Sequence, residues 1–322
     1  MLKVVHLSKF FALRRTLIQY LKGEKPKYIR AVDDVSFEIK KGETVGLVGE
    51  SGSGKTTLAR LILRLLEPTS GEIFFEGQNI LSLKGKDVKE IRRKMQMVFQ
   101  DPYSALNPRL TIQKIIEEPL VVHGLYSPKE RVEIIKGMLK SVGLNPPELF
   151  LNKYPHELSG GQRQRVVICR ALILNPSFIV MDEPVSLLDA TVRTQILDLV
   201  LKLKEEFNLT YLFITHDLAL ARYICNRLLV MYRGKIVETG ETEQIISEPF
   251  HPYTKMLMLA VPVPNPFIKI SLPPKIDKLA DAFIYQGCRF YPRCPDATHL
   301  CQTEEPPLVE IDGRAVSCWK YK

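Results

Sequence analysis

The chain has 322 residues, of which 45% are hydrophobic and 25% are charged. These proportions are ordinary for a globular protein, so they exclude a largely disordered chain, and the length suits one large or two smaller domains. No stretch reaches the roughly 20 apolar residues that a membrane-spanning helix needs, and residues 1–30 lack the apolar block of a signal peptide. The sequence therefore predicts a protein of the cytoplasm.

The net charge of +9 is concentrated at the N-terminus, because residues 1–30 contain eight basic residues and one acidic residue. Such an uneven charge indicates a surface for anionic lipid or nucleic acid. Four apolar residues in this segment have helical spacing: Leu13, Leu17, Ile18 and Leu21. They predict either a helix that lies on anionic headgroups or a helix that packs on the chain's own sheet. No basic patch interleaved with aromatic residues accompanies them, so nucleic acid is not an expected partner.

Three short apolar segments predict strands buried in a parallel sheet: Thr44–Val48, Phe178–Met181 and Tyr211–Thr215. Each segment is followed directly by residues that can bind a ligand or take part in catalysis. They are Gly49, the pair Asp182-Glu183, and His216. Ligands of open parallel sheets bind at the carboxyl ends of the strands. The sequence therefore predicts a ligand site built from these three ends.

Helical periodicity replaces the strand pattern between residues 102 and 158, as apolar residues there recur at helix spacing: Ile112, Ile115, Ile116, Val132, Ile135 and Leu139. This predicts a helical subdomain of about residues 102–160 inserted into an α/β core. Prolines become frequent after about residue 245, which is typical of a linker. We expect a nucleotide-binding domain over 1–248 and a small C-terminal module over 249–322.

Residues 49–56, with the sequence GESGSGKT, fit the phosphate-binding pattern GxxxxGK[ST] between a predicted strand and a predicted helix. Backbone N–H groups of such a loop surround phosphate oxygens at a helix N-terminus. Lys55 would neutralise the β- and γ-phosphates, and the Thr56 hydroxyl would bind Mg²⁺. The expected ATP contacts are Gly49, Glu50, Ser51, Gly52, Ser53, Gly54, Lys55, Thr56 and Thr57.

Asp182 ends an apolar strand, where a carboxylate is costly unless it holds a cation or a water molecule bound to one. Glu183 follows it and can act as the general base that polarises the attacking water. Together with the phosphate-binding loop, this acidic pair predicts hydrolysis of MgATP.

The segment Leu158-Ser159-Gly160-Gly161-Gln162 resembles the signature motif of ABC ATPases, and Gln100, Asp189 and His216 occur in the order of that family. The chain is therefore similar to one ABC nucleotide-binding domain. The resemblance implies a P-loop NTPase with a RecA-like α/β core, an antiparallel β subdomain and the inserted helical subdomain. It also implies that two such domains enclose two ATP molecules head to tail.

The resemblance assigns roles to these residues. Ser159 and Gly161 would contact the γ-phosphate bound by the partner's P-loop, and His216 would contact the γ-phosphate of its own site. Gln100 would sense Mg²⁺ and the attacking water, so Thr56, Gln100 and Asp182 are the expected magnesium residues. Glu183, His216 and Gln100 are the expected catalytic residues.

Two positions are less regular. Leu187 occupies a place where the family usually has a small residue, in the loop before Asp189 that crosses the dimer interface. Adenine usually stacks on an N-terminal aromatic residue in this family. Phe11 aligns best with that position, and Tyr28 is the alternative.

The segment from Val98 to Arg109 and the segment His251–Lys255 resemble the oligopeptide/dipeptide importer branch, in its F-type ATP-binding subunits. This resemblance implies an ATPase at the cytoplasmic face of the cell membrane, in contact with the membrane surface. Its implied partners are two permease subunits, a second related ATPase subunit and, indirectly, an extracytoplasmic binding protein.

Two alternatives are open. The same ATPase type serves oligosaccharide or nickel importers of this branch. Soluble ABC proteins that act on ribosomes or DNA are disfavoured, because those usually carry two nucleotide domains or a long coiled-coil insertion.

Six cysteines are present, and Cys169 and Cys225 lie in apolar segments, where we expect buried thiols. The others are clustered near the C-terminus: Cys288, Cys294, Cys301 and Cys318. A cytoplasmic protein does not rely on disulfides, so this cluster suggests a metal centre. Its spacing lacks the close pairs of zinc sites and resembles the iron–sulfur motif of peptide-importer ATPases. A [4Fe–4S] cluster is expected, with zinc or no metal as alternatives.

Overall fold

The computed structural model describes residues 1–13, 15, 23, 26–259 and 286–322. The predicted N-terminal helical stripe, apart from Leu13, lies outside the described residues. The described chain divides into two compact units. The first comprises Met1–Ile39, Val45–Leu81 and Thr215–Lys322, and the second comprises Lys40–Thr44 and Ser82–Ile214. No helix in the described ranges is both long enough and apolar enough to cross a membrane.

The strands are, in chain order, β1 Leu2–Ala12, β2 Tyr28–Ile39, β3 Thr44–Val48, β4 Ser70–Phe75, β5 Gln78–Asn79, β6 Met95–Val98, β7 Phe178–Asp182, β8 Thr210–Thr215, β9 Arg227–Tyr232, β10 Lys235–Glu241, β11 Val309–Ile311 and β12 Arg314–Val316. The α-helices are α1 Lys55–Ile62, α2 Lys86–Lys94, α3 Pro102–Ala105, α4 Ile112–His123, α5 Pro128–Ser141, α6 Glu148–Leu151, α7 Gly160–Leu172, α8 Ala190–Glu206, α9 Leu218–Ile224, α10 Thr242–Ser247, α11 Pro252–Leu259 and α12 His299–Thr303. Short 3₁₀ turns lie at Pro155–Glu157, Tyr291–Arg293 and Trp319–Tyr321.

An antiparallel sheet of order β2-β1-β4-β5 lies in the first unit. Strand β1 pairs with β2, with Leu2 opposite Ile39, and with β4, with Leu2 opposite Phe75. Much of β2 alternates between buried and exposed residues, because one face of an antiparallel sheet packs on the core while the other meets solvent. Leu7 and Phe75 are among the fully buried residues of this sheet.

A second sheet of the first unit carries the phosphate-binding loop and the C-terminal residues. Strand β3 pairs in parallel with β9, and β9, β10, β12 and β11 continue as antiparallel neighbours. All five residues of β3 are buried. Strand β12 pairs with β10, with Val316 opposite Glu238, so the C-terminal module continues the sheet that begins at the P-loop strand.

The second unit contains a parallel arrangement of β6, β7 and β8, with Met95 opposite Phe178 and Phe178 opposite Thr210. Every residue of β7 and β8 is buried, as expected for strands covered on both faces. Helices α3 to α6 lie within the predicted range of about 102–160, and α7 begins where that range ends. Helix α4 begins at the N-cap Thr111 and ends at the left-handed Gly124, so local capping residues set both of its ends.

Candidate active site

The phosphate-binding loop connects β3 to α1, and its glycines fit positions that no other residue fits. Gly49 has φ 154° and Gly54 has φ 110°. A Cβ atom on Gly49 would overlap the carbonyl oxygen of Met231, and one on Gly54 would overlap the carbonyl oxygen of Ala31. Backbone atoms of this unit therefore enclose the loop, which requires glycine at both positions.

Lys55 begins α1 and is buried, with 6% of its surface exposed. Its Nζ atom donates hydrogen bonds to the carbonyl oxygens of Gly49 at 2.7 Å and Glu50 at 2.9 Å. The Ser53 N–H donates to the Glu50 carbonyl at 3.2 Å. The loop thus wraps around the lysine ammonium at the N-terminus of α1, where unpaired N–H groups and the helix dipole favour an anion. The other predicted contacts belong to the same segment: Ser51, Gly52, Thr56 and Thr57.

Gln100, Asp182 and Glu183 lie in the second unit, and two of them are hydrogen-bonded to each other. The Gln100 Nε2 atom donates to Glu183 Oε2 at 2.9 Å. Asp182 is the last residue of β7 and is only 5% exposed. The structure therefore brings together an amide and a carboxylate that are 83 residues apart in sequence, beside a buried acid.

Glu183 has a left-handed backbone with φ 47°, which is uncommon for a residue with a side chain. Its N–H donates to the carbonyl of Ile214 at 3.0 Å, and its own carbonyl accepts from the Ser186 hydroxyl at 3.1 Å. These bonds hold a conformation that costs about 1 kcal/mol or more when it is not compensated. Unusual backbone geometry of this kind is concentrated at functional sites.

His216 follows β8 and is assigned to the first unit, as is the P-loop. It is exposed, and the next residue begins the capping of α9. The Asp217 carboxylate accepts from the N–H groups of Ala219 at 2.9 Å and Leu220 at 3.3 Å. This cap fixes the backbone immediately after the histidine.

The signature segment forms the N-terminus of α7. Ser159 is the N-cap, and it exchanges hydrogen bonds with Gln162 at 3.3 and 3.0 Å in a capping box. Leu158 is buried, whereas Gly160 and Gly161 occupy the first turn. A Cβ atom on Gly161 would lie 2.6 Å from Cγ1 of Val192. The second glycine is therefore required by close packing against α8.

The loop before α8 contains two residues that the sequence singles out, Leu187 and Asp189. Asp189 is the N-cap of α8 and accepts from the Val192 N–H at 3.0 Å. Leu187, the departure from the family pattern, has 61% of its surface exposed.

Phe11 and Tyr28 lie on adjacent strands, since Phe11 is opposite Ile29 in the β1–β2 register. The two aromatic side chains are 39% and 46% exposed. Lys9 places its ammonium 5.4 Å from the centre of the Phe11 ring. Both residues remain candidates for an adenine contact.

Comparisons with known proteins agree with this geometry. A family model for ABC transporters matches residues 32–186, and one for the C-terminal region of oligopeptide/dipeptide transporters matches residues 237–301. The chain is 44% identical to the oligopeptide transport ATP-binding protein AppF of Bacillus subtilis, over 99% of this chain and 97% of the relative. It is 42% identical to the dipeptide transport ATP-binding protein DppF of Haemophilus influenzae, over 99% and 96%.

The chain belongs to the ABC transporter ATP-binding family, in its oligopeptide/dipeptide branch. Among solved structures it is similar to the dimeric ABC transporter cassette MJ0796, with a TM-score of 0.65 and 34% identity over 75% of this chain and 99% of that cassette. The same cassette bound to ADP and phosphate matches with a TM-score of 0.64. The predicted ABC ATPase fold is thereby confirmed.

The C-terminal part of the chain contains a cavity of about 270 Å³. Trp319 forms part of its wall. The four clustered cysteines also line it: Cys288, Cys294, Cys301 and Cys318. Burial raises the pKa of Cys288 to about 11 and also raises the pKa of Cys294 and Cys318, so these thiols are protonated near neutral pH.

The metal prediction does not receive support from this geometry. Within the described ranges, no group of three or more histidine, cysteine, aspartate or glutamate side chains is placed to hold a metal ion. The four cysteines line a cavity and belong to no such group among the described residues, so the zinc alternative is not supported either. Cys169 and Cys225 are buried, as the sequence predicted, and burial raises the pKa of Cys169.

Sequence reasoning missed three residues that connect the C-terminal module of the ABC subunit to strand β2 and to the P-loop. Arg289 forms a buried ion pair with Asp33, Arg293 forms an ion pair with Glu50, and Tyr253 bonds to the Glu50 backbone. The two arginines lie between Cys288 and Cys294, where the sequence drew attention to the cysteines alone. Their partners are more than 200 residues away in sequence.

Proposed function

We propose that this chain is the ATP-hydrolysing subunit that energises peptide uptake through separate permease subunits at the cytoplasmic face of the membrane. The observation that carries the proposal is the hydrogen bond from Gln100 to Glu183 beside the buried Asp182, at the end of a buried strand. The glycine loop around Lys55 supplies the phosphate-binding half.

Each residue has a chemical task in this proposal. Lys55 and the loop N–H groups bind the phosphates, and Thr56, Gln100 and Asp182 hold or sense Mg²⁺. Glu183 is the general base that accepts the proton of the attacking water. The hydrogen bond from the Gln100 amide orients the Glu183 carboxylate for this task. His216 stabilises the γ-phosphate. When bound, MgATP supplies the phosphoanhydride bond that is broken.

The assembly is part of the proposal. Two subunits of this kind, this one and a related ATPase, enclose two ATP molecules, and the capped helix end at Ser159 faces the partner's γ-phosphate. The Asp189 loop then lies at the dimer interface. The names of AppF and DppF as transport ATP-binding proteins support work with membrane permeases, and an extracytoplasmic binding protein is the further partner that we propose.

The test is the Glu183→Gln variant in the purified complex. We expect ATP binding to remain, turnover to fall at least about a hundredfold, and a closed dimer to accumulate, since the amide cannot accept the proton. Glu133→Gln on α5, which changes an exposed carboxylate paired with Lys136, is the matched control and retains turnover. Normal turnover by Glu183→Gln would refute the assigned base.

Uptake of labelled dipeptides and oligopeptides into vesicles tests the cargo. Transport of oligosaccharide or nickel without transport of peptides would favour the alternative importers. Recovery of the chain with ribosomes or DNA, without membrane proteins, would refute the transporter proposal.

We also propose a division into a nucleotide-binding domain over 1–248, with its helical subdomain at about 102–160, and a module over 249–322. A [4Fe–4S] cluster in the cysteine cavity is the finer part of this proposal. It rests on the sequence resemblance and on the thiol chemistry of the four cysteines that line one cavity, since the described residues form no single-ion site there. Iron and acid-labile sulfide measured in protein purified without oxygen test it, with Cys294→Ser as the variant that should lose both. Protein free of iron would end it.

A further inference from the structure

The segment between Cys288 and Cys294 contacts the phosphate-binding loop through an arginine. Arg293 lies in the 3₁₀ turn Tyr291–Arg293, and its guanidinium donates to both carboxylate oxygens of Glu50 at 2.8 Å each. This bidentate geometry is the strongest form of an arginine–carboxylate pair. Both residues belong to the first unit. The second residue of the P-loop is therefore held by a side chain 243 residues away in sequence.

The backbone of Glu50 is held as well, so the residue is constrained at three points. Its N–H donates to the hydroxyl of Tyr253 at 2.8 Å, and its carbonyl accepts from Lys55 at 2.9 Å. The Lys55 ammonium is the cation expected to bind the ATP phosphates. The backbone carbonyl of Glu50 thus bonds directly to that ammonium, and the Glu50 carboxylate is the side chain of the same residue.

Arg293 is itself held in place. Its guanidinium donates to the Met256 sulfur at 3.4 Å and lies 5.8 Å from the ring centres of Tyr232 and Phe290. Phe290 contacts Tyr253 with ring centres 5.5 Å apart. The aromatic cluster therefore orients both groups that bond to Glu50.

Charge gives this contact a consequence for ATP. A free carboxylate at Glu50 would repel the triphosphate and compete for the Lys55 ammonium, because unlike charges attract and like charges repel over several ångströms. Arg293 neutralises that carboxylate and holds it in a fixed orientation. Without the arginine, the negative charge of the Glu50 carboxylate in the P-loop would no longer be neutralised by this pair.

We propose that Arg293 is a positioning residue of the ATP site, which neutralises and restrains Glu50 so that the P-loop accepts the phosphates. The C-terminal module thereby contributes to nucleotide affinity without contacting the nucleotide. This inference rests on the proposed binding of ATP by the P-loop.

The experiment is a double-mutant cycle on the full chain, with the dissociation constant for MgATP as the first measurement. We expect Arg293→Ala to weaken binding about twofold to fivefold, the range for loss of a partly exposed ion pair. In the Glu50→Gln background the same substitution should have almost no effect, since no carboxylate remains to be neutralised. Arg293→Lys should recover part of the loss.

Two further measurements separate positioning from a merely structural role. In the purified complex the KM for ATP should rise while kcat changes little, and the effect should shrink as salt screens the charge. Lys235→Ala is the matched control, because it removes a different ion pair of the module, between Lys235 and Glu305 at 2.5 Å. It should leave KM unchanged.

The outcomes are distinguishable. Equal losses from Arg293→Ala in the wild-type and Glu50→Gln backgrounds would refute the inference and indicate a general loss of module structure. Unchanged affinity in Arg293→Ala would also refute it, while ATP binding by the wild-type chain leaves the proposed function intact. A wild-type chain that fails to bind MgATP would instead refute the proposed function.

Discussion

Two adjacent glycines in the first turn of α7 offer a direct test of packing at the signature segment. An added Cβ would lie 2.6 Å from Val192 Cγ1 at Gly161, but 3.5 Å from the nearest Leu188 carbon at Gly160. Carbon atoms in contact prefer about 3.5–4.0 Å, so Gly161→Ala forces a shift of about 1 Å in a β-branched side chain of α8. Gly160→Ala forces none.

The magnitudes follow from this difference. Overpacking costs about 2 kcal/mol, and alanine in place of helical glycine returns up to about 1 kcal/mol. Gly161→Ala should therefore destabilise the fold by about 1 kcal/mol, whereas Gly160→Ala should stabilise it by up to about 1 kcal/mol. A difference of about 2 kcal/mol corresponds to roughly 4–8 °C in melting temperature for a unit of this size.

Differential scanning calorimetry of both variants measures this difference. In the Val192→Ala background, Gly161→Ala should no longer destabilise the fold and should instead stabilise it by up to about 1 kcal/mol, because the obstructing methyl group is gone and only the helix-propensity gain remains. Equal melting temperatures for Gly160→Ala and Gly161→Ala would refute the reasoning, and so would a Gly161→Ala destabilisation that persists without the valine side chain.

Two further predictions concern single contacts. His251 is buried, and burial lowers its pKa to about 3, so below about pH 6.5 the unfolded chain binds a proton that the folded chain excludes. The fold should therefore lose about 2 kcal/mol of stability between pH 7 and pH 5. In urea unfolding, His251→Asn should not show this loss, whereas the control His299→Asn, at an exposed position, should still show it. Asp189→Ala should lower the free energy of unfolding by about 1 kcal/mol in the same assay at pH 7, because it removes the N-cap of α8. Asp189→Asn should retain most of that stability, because asparagine also caps helices. Equal losses in both variants would contradict the capping role.

The sequence predicted the elements whose signals are local. Strand β3 has its predicted bounds, and β7 and β8 differ by one residue each, because a short buried run bounded by glycine or charge is recognisable without its neighbours. The P-loop was equally recognisable, because its glycines satisfy backbone conditions that other residues cannot meet.

The contacts that the sequence could not predict join distant segments. Nothing in the residues around Glu50 indicates a partner at Arg293, since an arginine between two cysteines has no periodic or motif signal of its own. The family resemblance placed Gln100 and Glu183 in one catalytic site but did not predict their hydrogen bond, because two polar residues 83 positions apart meet only when neighbouring strands align. The choice between Phe11 and Tyr28 stays open for a similar reason, as adjacent strands expose both rings.

Trp319 in the wall of the cysteine cavity has a spectroscopic consequence. It is the single tryptophan of the chain, and its indole N–H donates to the carbonyl of Glu304 at 3.1 Å. Excitation near 295 nm therefore samples this corner of the protein selectively. The emission colour and lifetime report whether the region around the thiols is intact, and a light-absorbing group bound between them would quench that emission by energy transfer. The protein thus contains its own fluorescent reporter for the state of its C-terminal module.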